Sequence, residues 1–235
     1  MGRVNFVKFK LNRFEYVKPF HITNSISYDT ENIEVVVELD NGIVGYGEAS
    51  PSFRVNGEKV QVLLALEPVI NEMIVGMDVR EYRKIFDETD KLKAAPSIKA
   101  AVQYAVLDAF SEEIGVPVYQ LFGGAKRELE TDYTISIGTL DERLREAKEI
   151  VARGHSVIKI KVGENLEEDI QAVIAISEVS KGCKYIVDAN MGYTPKQAVK
   201  FVTELYRAGV DIAVFEQPVW MFDIEGLKYV RWNSP

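Results

Sequence analysis

The chain has 235 residues, of which 47% are hydrophobic and 27% charged, the balance of a soluble globular protein with one large domain or two smaller ones. Its formal net charge of −8, without a lysine- or arginine-rich run, argues against nucleic acid as a partner. No apolar stretch approaches the ~20 residues of a membrane span, and the N-terminus lacks the apolar block of a signal peptide. The single cysteine, Cys183, excludes an intramolecular disulfide and suits a reducing, cytoplasmic location.

The first fifty residues predict β-strands. Residues 32–50, "NIEVVVELDNGIVGYGEAS", contain two strand-like runs joined at residues 40–42. The Asn-Gly pair there favours a hairpin with a tight primed turn. Residues 18–27 and 50–58 mix polar, aromatic and turn-forming side chains, and are predicted to be loops near these strands.

Residues 58–122 predict helices. The clearest helix begins at Pro96 and carries an apolar stripe at helical spacing. It is expected to end at Gly115, where the sequence continues Gly-Val-Pro.

From about residue 130 the pattern changes to alternating strands and helices. Such alternation predicts parallel strands joined by helical crossovers. A complete (β/α)₈ barrel needs roughly 250 residues, so this segment suffices for about four units. We therefore expect an α+β capping domain over residues 1–125, followed by α/β structure over residues 126–235: the first half of a TIM-type (β/α) barrel. The predicted strands are 132–137, 157–162, 184–188 and 212–216, and the predicted helices are 141–153, 165–180 and 195–208.

Charged side chains recur at the ends of these strands. In residues 158–162, "IKIKV", alternation places Lys159 and Lys161 on one face, while Asp188 and Glu216 end the next two strands. Taken singly, the lysines are as expected of a solvated edge strand, and either acid could cap the next helix or meet solvent. Their common position at the carboxyl ends of three successive strands instead indicates a ligand site. Two neighbouring carboxylates there could share a hard cation such as Mg²⁺.

The order "IKIKVG", "VDANMGY", "FEQP" closely resembles the enolase superfamily, in its muconate-lactonizing subgroup. The segments "GYGEASPSF" and "VYQLFGG" are similar to that family's N-terminal cap, so the resemblance covers nearly the whole chain. Within the subgroup, "HIT", "GEASPSFRVNGE" and "ETDYTISIGT" look most like dipeptide epimerases of the L-Ala-D/L-Glu kind.

The resemblance implies catalytic roles for four residues. Lys161 would be the base that removes a proton from the carbon α to a carboxylate. Lys159 would sit beside it, where its charge helps to keep Lys161 neutral and basic near pH 7. Asp188 and Glu216 would be two of three carboxylates holding Mg²⁺, which would stabilise the resulting enolate.

Five further residues are candidates for substrate binding. Thr134 could line the pocket floor, or be an ordinary strand residue. Asn190 could reach the same site from its loop, or simply serve the turn. His21, in the first predicted loop, could touch substrate or be solvated, and Phe53 and Arg54 come from the second.

The family pattern continues beyond what this sequence contains. A third acid, a lysine for the opposite face and the specificity residues would follow, whereas this chain stops at Pro235. The chain is therefore expected to be a fragment, or to have its barrel completed by something else, and to be a poor catalyst alone. Because a half-barrel leaves open strand edges, a homo-oligomer is expected.

The resulting functional prediction is a Mg²⁺-dependent isomerase acting on a small-molecule carboxylate. Dipeptide epimerisation is the leading activity. The alternatives are a muconate cycloisomerase, an enzyme like o-succinylbenzoate synthase, or a catalytically inactive half-barrel.

Overall fold

A computed structural model describes residues 2–22 and 25–235, with only the backbone described for Ile22 and Ser25. The chain forms two compact units. The first comprises Met1–Tyr16 and Asp29–Arg127, and the second comprises Val17–Tyr28 and Glu128–Pro235. The domain boundary expected at residues 125 and 126 stays a prediction. Within the described ranges, no helix has the length and apolar character needed to cross a membrane.

The N-terminal sheet has three strands in the order β1-β2-β3, with β2 and β3 antiparallel. The prediction of a loop at residues 18–27 is wrong, because this segment is strand on both sides of residues 23–24, which lie outside the described residues. Pro19 is compatible with this pairing because β1 is an edge strand, where a missing N–H is tolerated. The bounds are β1 Val4–Ile22, β2 Ser25–Leu39 and β3 Val44–Ala49.

The predicted β2–β3 hairpin is confirmed, but its turn is of another type. The Gly42 N–H donates to the Leu39 carbonyl over 2.9 Å, and Gly42 has φ of 85°. Asn41 is absent from the described residues with positive φ, whereas a type I′ turn needs positive φ at both central positions. The connection is therefore a three-residue loop with glycine alone in the left-handed region.

Helices follow β3, as predicted for residues 58–122. One helical turn, α1, already lies inside residues 50–58, so the prediction of a loop there is only partly right. The elements are α1 Phe53–Asn56, α2 Val60–Leu64, α3 Glu67–Ile74, a 3₁₀ turn at Val79–Glu81, α4 Tyr82–Asp90, α5 Pro96–Ile114 and α6 Val118–Leu121.

Helix α5 packs directly on β3 because that strand carries glycine where the two backbones meet. A Cβ atom added to Gly45 would lie 2.1 Å from the carbonyl oxygen of Ala105 and 2.4 Å from the amide nitrogen of Ala109. Both neighbours are backbone atoms of a long helix and cannot turn aside. The close approach lets α5 bury eight of its residues, six of which belong to the hydrophobic core of this unit.

We expect Gly45→Ala to destabilise the protein by about 3 kcal/mol, since the added methyl group overpacks a rigid contact. The measurement is urea-induced unfolding followed by circular dichroism. The control is Gly138→Ala, because the nearest atom to its added Cβ is a side-chain oxygen of Glu142 at 3.2 Å, and not a backbone atom at about 2 Å. Equal effects of the two substitutions would contradict the packing argument.

The second unit contains a parallel sheet of four strands in the order β4-β5-β6-β7, which confirms the predicted half-barrel pattern. Each strand pairs in parallel with the next along the chain, and β5 and β6 are matched over five residue pairs. The bounds lie within two residues of those predicted: β4 Tyr133–Ile135, β5 Val157–Lys161, β6 Lys184–Asp188 and β7 Ile212–Glu216.

A helix follows each of these strands. The first three match the prediction, and the fourth was not predicted. They are α7 Leu140–Ala152, α8 Leu166–Val179, α9 Pro195–Arg207 and α10 Ile224–Asn233.

Side-chain caps fix where these helices begin. Thr139 and Thr194 form capping boxes with Glu142 and Gln197, and a capping side chain also precedes α8 and α10. Each strand-to-helix loop therefore ends at a defined residue, which fixes the length of the loop that leaves each strand.

The apolar side chains of β5 face the core. Ile158 and Ile160 are fully buried with residues of α7, α8 and α9. The opposite face carries Lys159 and Lys161, but Lys161 is only 7% exposed. A solvated edge strand would leave such a lysine in water, so β5 does not have the wet face of that alternative.

Candidate functional site

Three neighbouring strands bring charged residues side by side at their carboxyl ends. Lys161 on β5 is the register partner of Asp188 on β6, and Asp188 is the partner of Glu216 on β7. Lys159 precedes Lys161 by two residues and therefore lies on the same face of the sheet. Side chains from three strands can thus meet above one edge of the sheet.

These four side chains are in direct contact. The Lys161 Nζ donates to Asp188 Oδ2 over 2.6 Å. The Lys159 Nζ lies 2.5 Å from Glu216 Oε2 and 3.1 Å from the same Asp188 oxygen. One ammonium group is therefore shared by two carboxylates, and one carboxylate is shared by two ammonium groups.

Burial and charge act in opposite directions on these groups. Burial alone would raise the pKa of Asp188, but hydrogen bonds from Lys161, the Asn190 backbone and Lys159 outweigh it and hold that pKa below its usual range. Burial lowers the pKa of Lys159, and its hydrogen bonds to Glu216 and Asp188 outweigh this and raise it. Asp188 is therefore ionised and Lys159 protonated at neutral pH. The neutrality expected of Lys161 stays a prediction.

The backbone beyond the two carboxylates adopts conformations that few side chains tolerate. Asn190, Met191 and Gln217 have φ of 43°, 71° and 38°, and they are three of the four non-glycine residues with positive φ in the described chain. The Met191 N–H donates to the Gln217 carbonyl over 2.8 Å, which links the two segments. Such clustering of unusual backbone is characteristic of functional sites.

Asn190 and Thr134 lie beside the charged cluster. The Asn190 Oδ1 accepts from Lys161 Nζ over 3.0 Å, and its backbone N–H donates to Asp188 Oδ1 over 2.9 Å. Thr134 is the register partner of Lys159 on β4 and so shares its face of the sheet. Both are thus positioned next to the lysines, and their substrate contacts remain predictions.

The other three candidates come from β1 and α1. His21 Nε2 lies 3.4 Å from Glu164 Oε1, beyond the end of β5. Phe53 and Arg54 belong to α1 in the first compact unit, and the Phe53 ring is packed by Lys59 Nζ at 5.0 Å from its centroid. Their roles in substrate binding also remain predictions.

A second polar cluster was missed at the sequence level. Arg143, Asp169 and Tyr193 are each about 5% exposed. Arg143 donates to the Lys161 carbonyl, Asp169 accepts from the Gly163 amide, and Tyr193 donates to Asp169. Arg143 and Asp169 lie on amphipathic helices rich in charged residues, where a further charge is ordinarily solvated. Only Tyr193, within "DANMGY", stands in a motif that had been singled out.

Comparison with known families agrees with this geometry. Residues 9–123 match the mandelate racemase / muconate lactonizing enzyme N-terminal domain, and residues 142–235 match the enolase C-terminal domain-like family. The chain therefore belongs to the mandelate racemase/muconate lactonizing family of the enolase superfamily, a family of enzymes, and the resemblance inferred from the sequence is confirmed.

Among its relatives are characterised dipeptide epimerases. The L-Ala-D/L-Glu epimerase of Thermotoga maritima is 58% identical over the whole chain, which spans 68% of that protein. The enzyme of the same name from Clostridium acetobutylicum is 35% identical over 92% of the chain and 61% of that protein. A solved structure of a dipeptide epimerase from Enterococcus faecalis, complexed with Mg and the dipeptide L-Leu-L-Tyr, superposes with a TM-score of 0.94 at 33% identity. The match covers 98% of this chain and 65% of the epimerase chain. This chain thus spans about two thirds of the length of these relatives.

Proposed function

We propose that the protein carrying this sequence is a Mg²⁺-dependent dipeptide epimerase that moves the proton on the carbon α to the terminal carboxylate. The observation that carries the proposal is a network of ion pairs at the carboxyl ends of three parallel strands. It joins Lys159, Lys161, Asp188 and Glu216. The isomerase relatives support the reaction class, and the 58% identical L-Ala-D/L-Glu epimerase supports L-Ala-Glu as substrate.

Lys161 is the proposed base. Its ammonium group lies at the strand end, held by Asp188 and Asn190, where a substrate above the sheet edge could be reached. As the base, Lys161 would accept the α-proton on its Nζ atom. Thr134 and Asn190 flank the lysines and would contact the substrate, with His21, Phe53 and Arg54 proposed as further contacts.

Asp188 and Glu216 fit two of the ligands of a divalent cation. Both carboxylates already bind one cationic group, the Lys159 ammonium, so their oxygens are within reach of a single positive charge. Among the described residues, no three His, Cys, Asp or Glu side chains cluster as a metal site. Bound Mg²⁺ would stabilise the negative charge that develops on the substrate carboxylate.

The test is conversion of L-Ala-L-Glu to L-Ala-D-Glu by the full gene-encoded protein in the presence of Mg²⁺. Chiral chromatography measures the two dipeptides. A muconate and an o-succinylbenzoate precursor are assayed in parallel. Conversion of the dipeptide alone is expected, and turnover of one of the other substrates instead would overturn the proposal. The homo-oligomer and the cytoplasmic location expected from the sequence stay predictions.

We expect Lys159→Met to tighten Mg²⁺ binding about tenfold, since it removes an ammonium group that competes for both carboxylates. Loss of one nearby like charge is worth on the order of 1 kcal/mol in a partly solvated site. Isothermal titration calorimetry with MgCl₂ measures the change. The matched control is Lys184→Met at the opposite end of β6, which should leave affinity unchanged. Weaker binding in Lys159→Met would show that this lysine does not compete with the metal.

A further inference from the structure

We infer that Arg143, Asp169 and Tyr193 are positioning residues that set the location of Lys161 from the helix side of the sheet. The effect of these residues on catalysis rests on the proposed function, whereas their contacts with the backbone around Lys161 do not. The three residues come from α7, α8 and the loop after β6, so three elements meet at the end of β5.

The cluster holds the backbone on the carboxyl side of Lys161 at two successive peptide groups. The Arg143 Nη2 donates to the carbonyl oxygen of Lys161 over 2.9 Å. The Asp169 Oδ2 accepts from the amide of Gly163 over 2.9 Å. Because the peptide units on both sides of residue 162 are bound, the chain leaving Lys161 has little rotational freedom, and the direction of its Cα–Cβ bond is fixed.

Tyr193 completes the arrangement by orienting Asp169. Its hydroxyl donates to Asp169 Oδ2 over 2.7 Å, and its ring packs on Phe201 with centroids 5.3 Å apart. Its backbone N–H donates to the Pro218 carbonyl over 3.0 Å, beyond the end of β7. The same residue therefore connects the ends of the strands that carry Lys161, Asp188 and Glu216.

Stability alone is a poor explanation for this cluster. Arg143 is 5% exposed, and its Nε has no hydrogen-bond partner among the described residues. Burial lowers the pKa of its guanidinium, and the nearby carboxylate of Asp169 only partly offsets this effect. A buried, incompletely bonded charge is commonly no better for stability than an apolar side chain of similar size. Geometric control of a proton-transferring lysine is a benefit that an apolar residue would not provide, because a misplacement of about 1 Å can cost on the order of 10²-fold in rate.

The test compares two buried tyrosines. Tyr193→Phe removes the hydrogen bond to Asp169. Tyr185→Phe is the matched control, since its buried hydroxyl bonds only to Ser180 in the described structure. Arg143→Met removes the contact with the Lys161 carbonyl. Three quantities are measured: the unfolding midpoint, the rate of reductive methylation of Lys161 by mass spectrometry without metal or substrate, and exchange of the substrate α-proton.

We expect both tyrosine variants to lower the unfolding midpoint to a similar extent. Only Tyr193→Phe and Arg143→Met should accelerate methylation of Lys161, measured relative to Lys184. The same two variants should slow α-proton exchange by roughly tenfold or more at unchanged KM. If Arg143→Met fails to fold, the tyrosine pair still decides. Equal methylation of Lys161 in the two tyrosine variants would overturn the inference. If these variants methylate Lys161 faster but the wild-type protein exchanges no α-proton of the dipeptide, the positioning of Lys161 is upheld and the proposed function is refuted.

Discussion

Lys161→Met is expected to lower α-proton exchange in L-Ala-L-Glu by roughly 10³-fold, within the range found for removal of a general base. In the wild-type protein, the Lys161 ammonium group contacts Asp188 and Asn190. It lies on the face of the sheet opposite the apolar core. Methionine keeps the length of the side chain, and Asp188 keeps its contacts with Lys159 and the Asn190 amide, so the fold should persist. The measurement is the exchange rate with saturating Mg²⁺ and substrate.

Lys184→Met is again the control, since it removes a lysine from a neighbouring strand at the end remote from the site. It should exchange the proton at the wild-type rate. Exchange by Lys161→Met within a factor of about three of wild type would show that another group takes the proton, because a true base contributes at least ~10²-fold.

Asp188→Ala is expected to destabilise the metal-free protein by about 3–5 kcal/mol, the usual cost of removing one partner from a buried ion pair. Asp188 is 1% exposed and accepts from Lys161, Lys159 and the Asn190 backbone. Its loss leaves Lys161, itself 7% exposed, without a carboxylate. Guanidinium-induced unfolding in the presence of a chelator measures the difference.

Glu216→Ala separates stability from metal binding. The Glu216 side chain is 45% exposed and, among the described residues, forms an ion pair with Lys159 alone, so its removal should change stability by less than about 1 kcal/mol. Both substitutions should abolish measurable Mg²⁺ binding by calorimetry. If Asp188→Ala proved as stable as Glu216→Ala, the buried ion pair would not hold this end of the sheet together.

The regular part of the fold could be predicted because its signals are local. Each strand of the second unit is a short β-forming segment followed by an amphipathic helix, and the parallel order follows from that alternation. The site followed from position: Asp188 and Glu216 each end a strand, and parallel strands end at one edge. The same reasoning gave the face of Lys159 and Lys161, since side chains in a strand alternate.

Three features of the structure were not predicted from the sequence. Residues 18–22 belong to β1, the strand beside β2, whereas their own composition, including Pro19, favours a loop. The turn at Gly42 is not primed, although Asn-Gly favours that type. Arg143 and Asp169 are charged residues on helices, and only the packing of α7 and α8 against the end of β5 makes them buried and structural.

The central claim is that Lys161 and the neighbouring carboxylates labilise a proton α to a carboxylate. The most direct test is ¹H NMR of L-Ala-L-Glu in D₂O with the gene-encoded protein, following the α-proton signal of the glutamate residue. The signal should disappear with wild-type protein and Mg²⁺, and should persist with a chelator or with Lys161→Met. A signal that persists with the wild type, or disappears equally with Lys161→Met, would contradict the assignment.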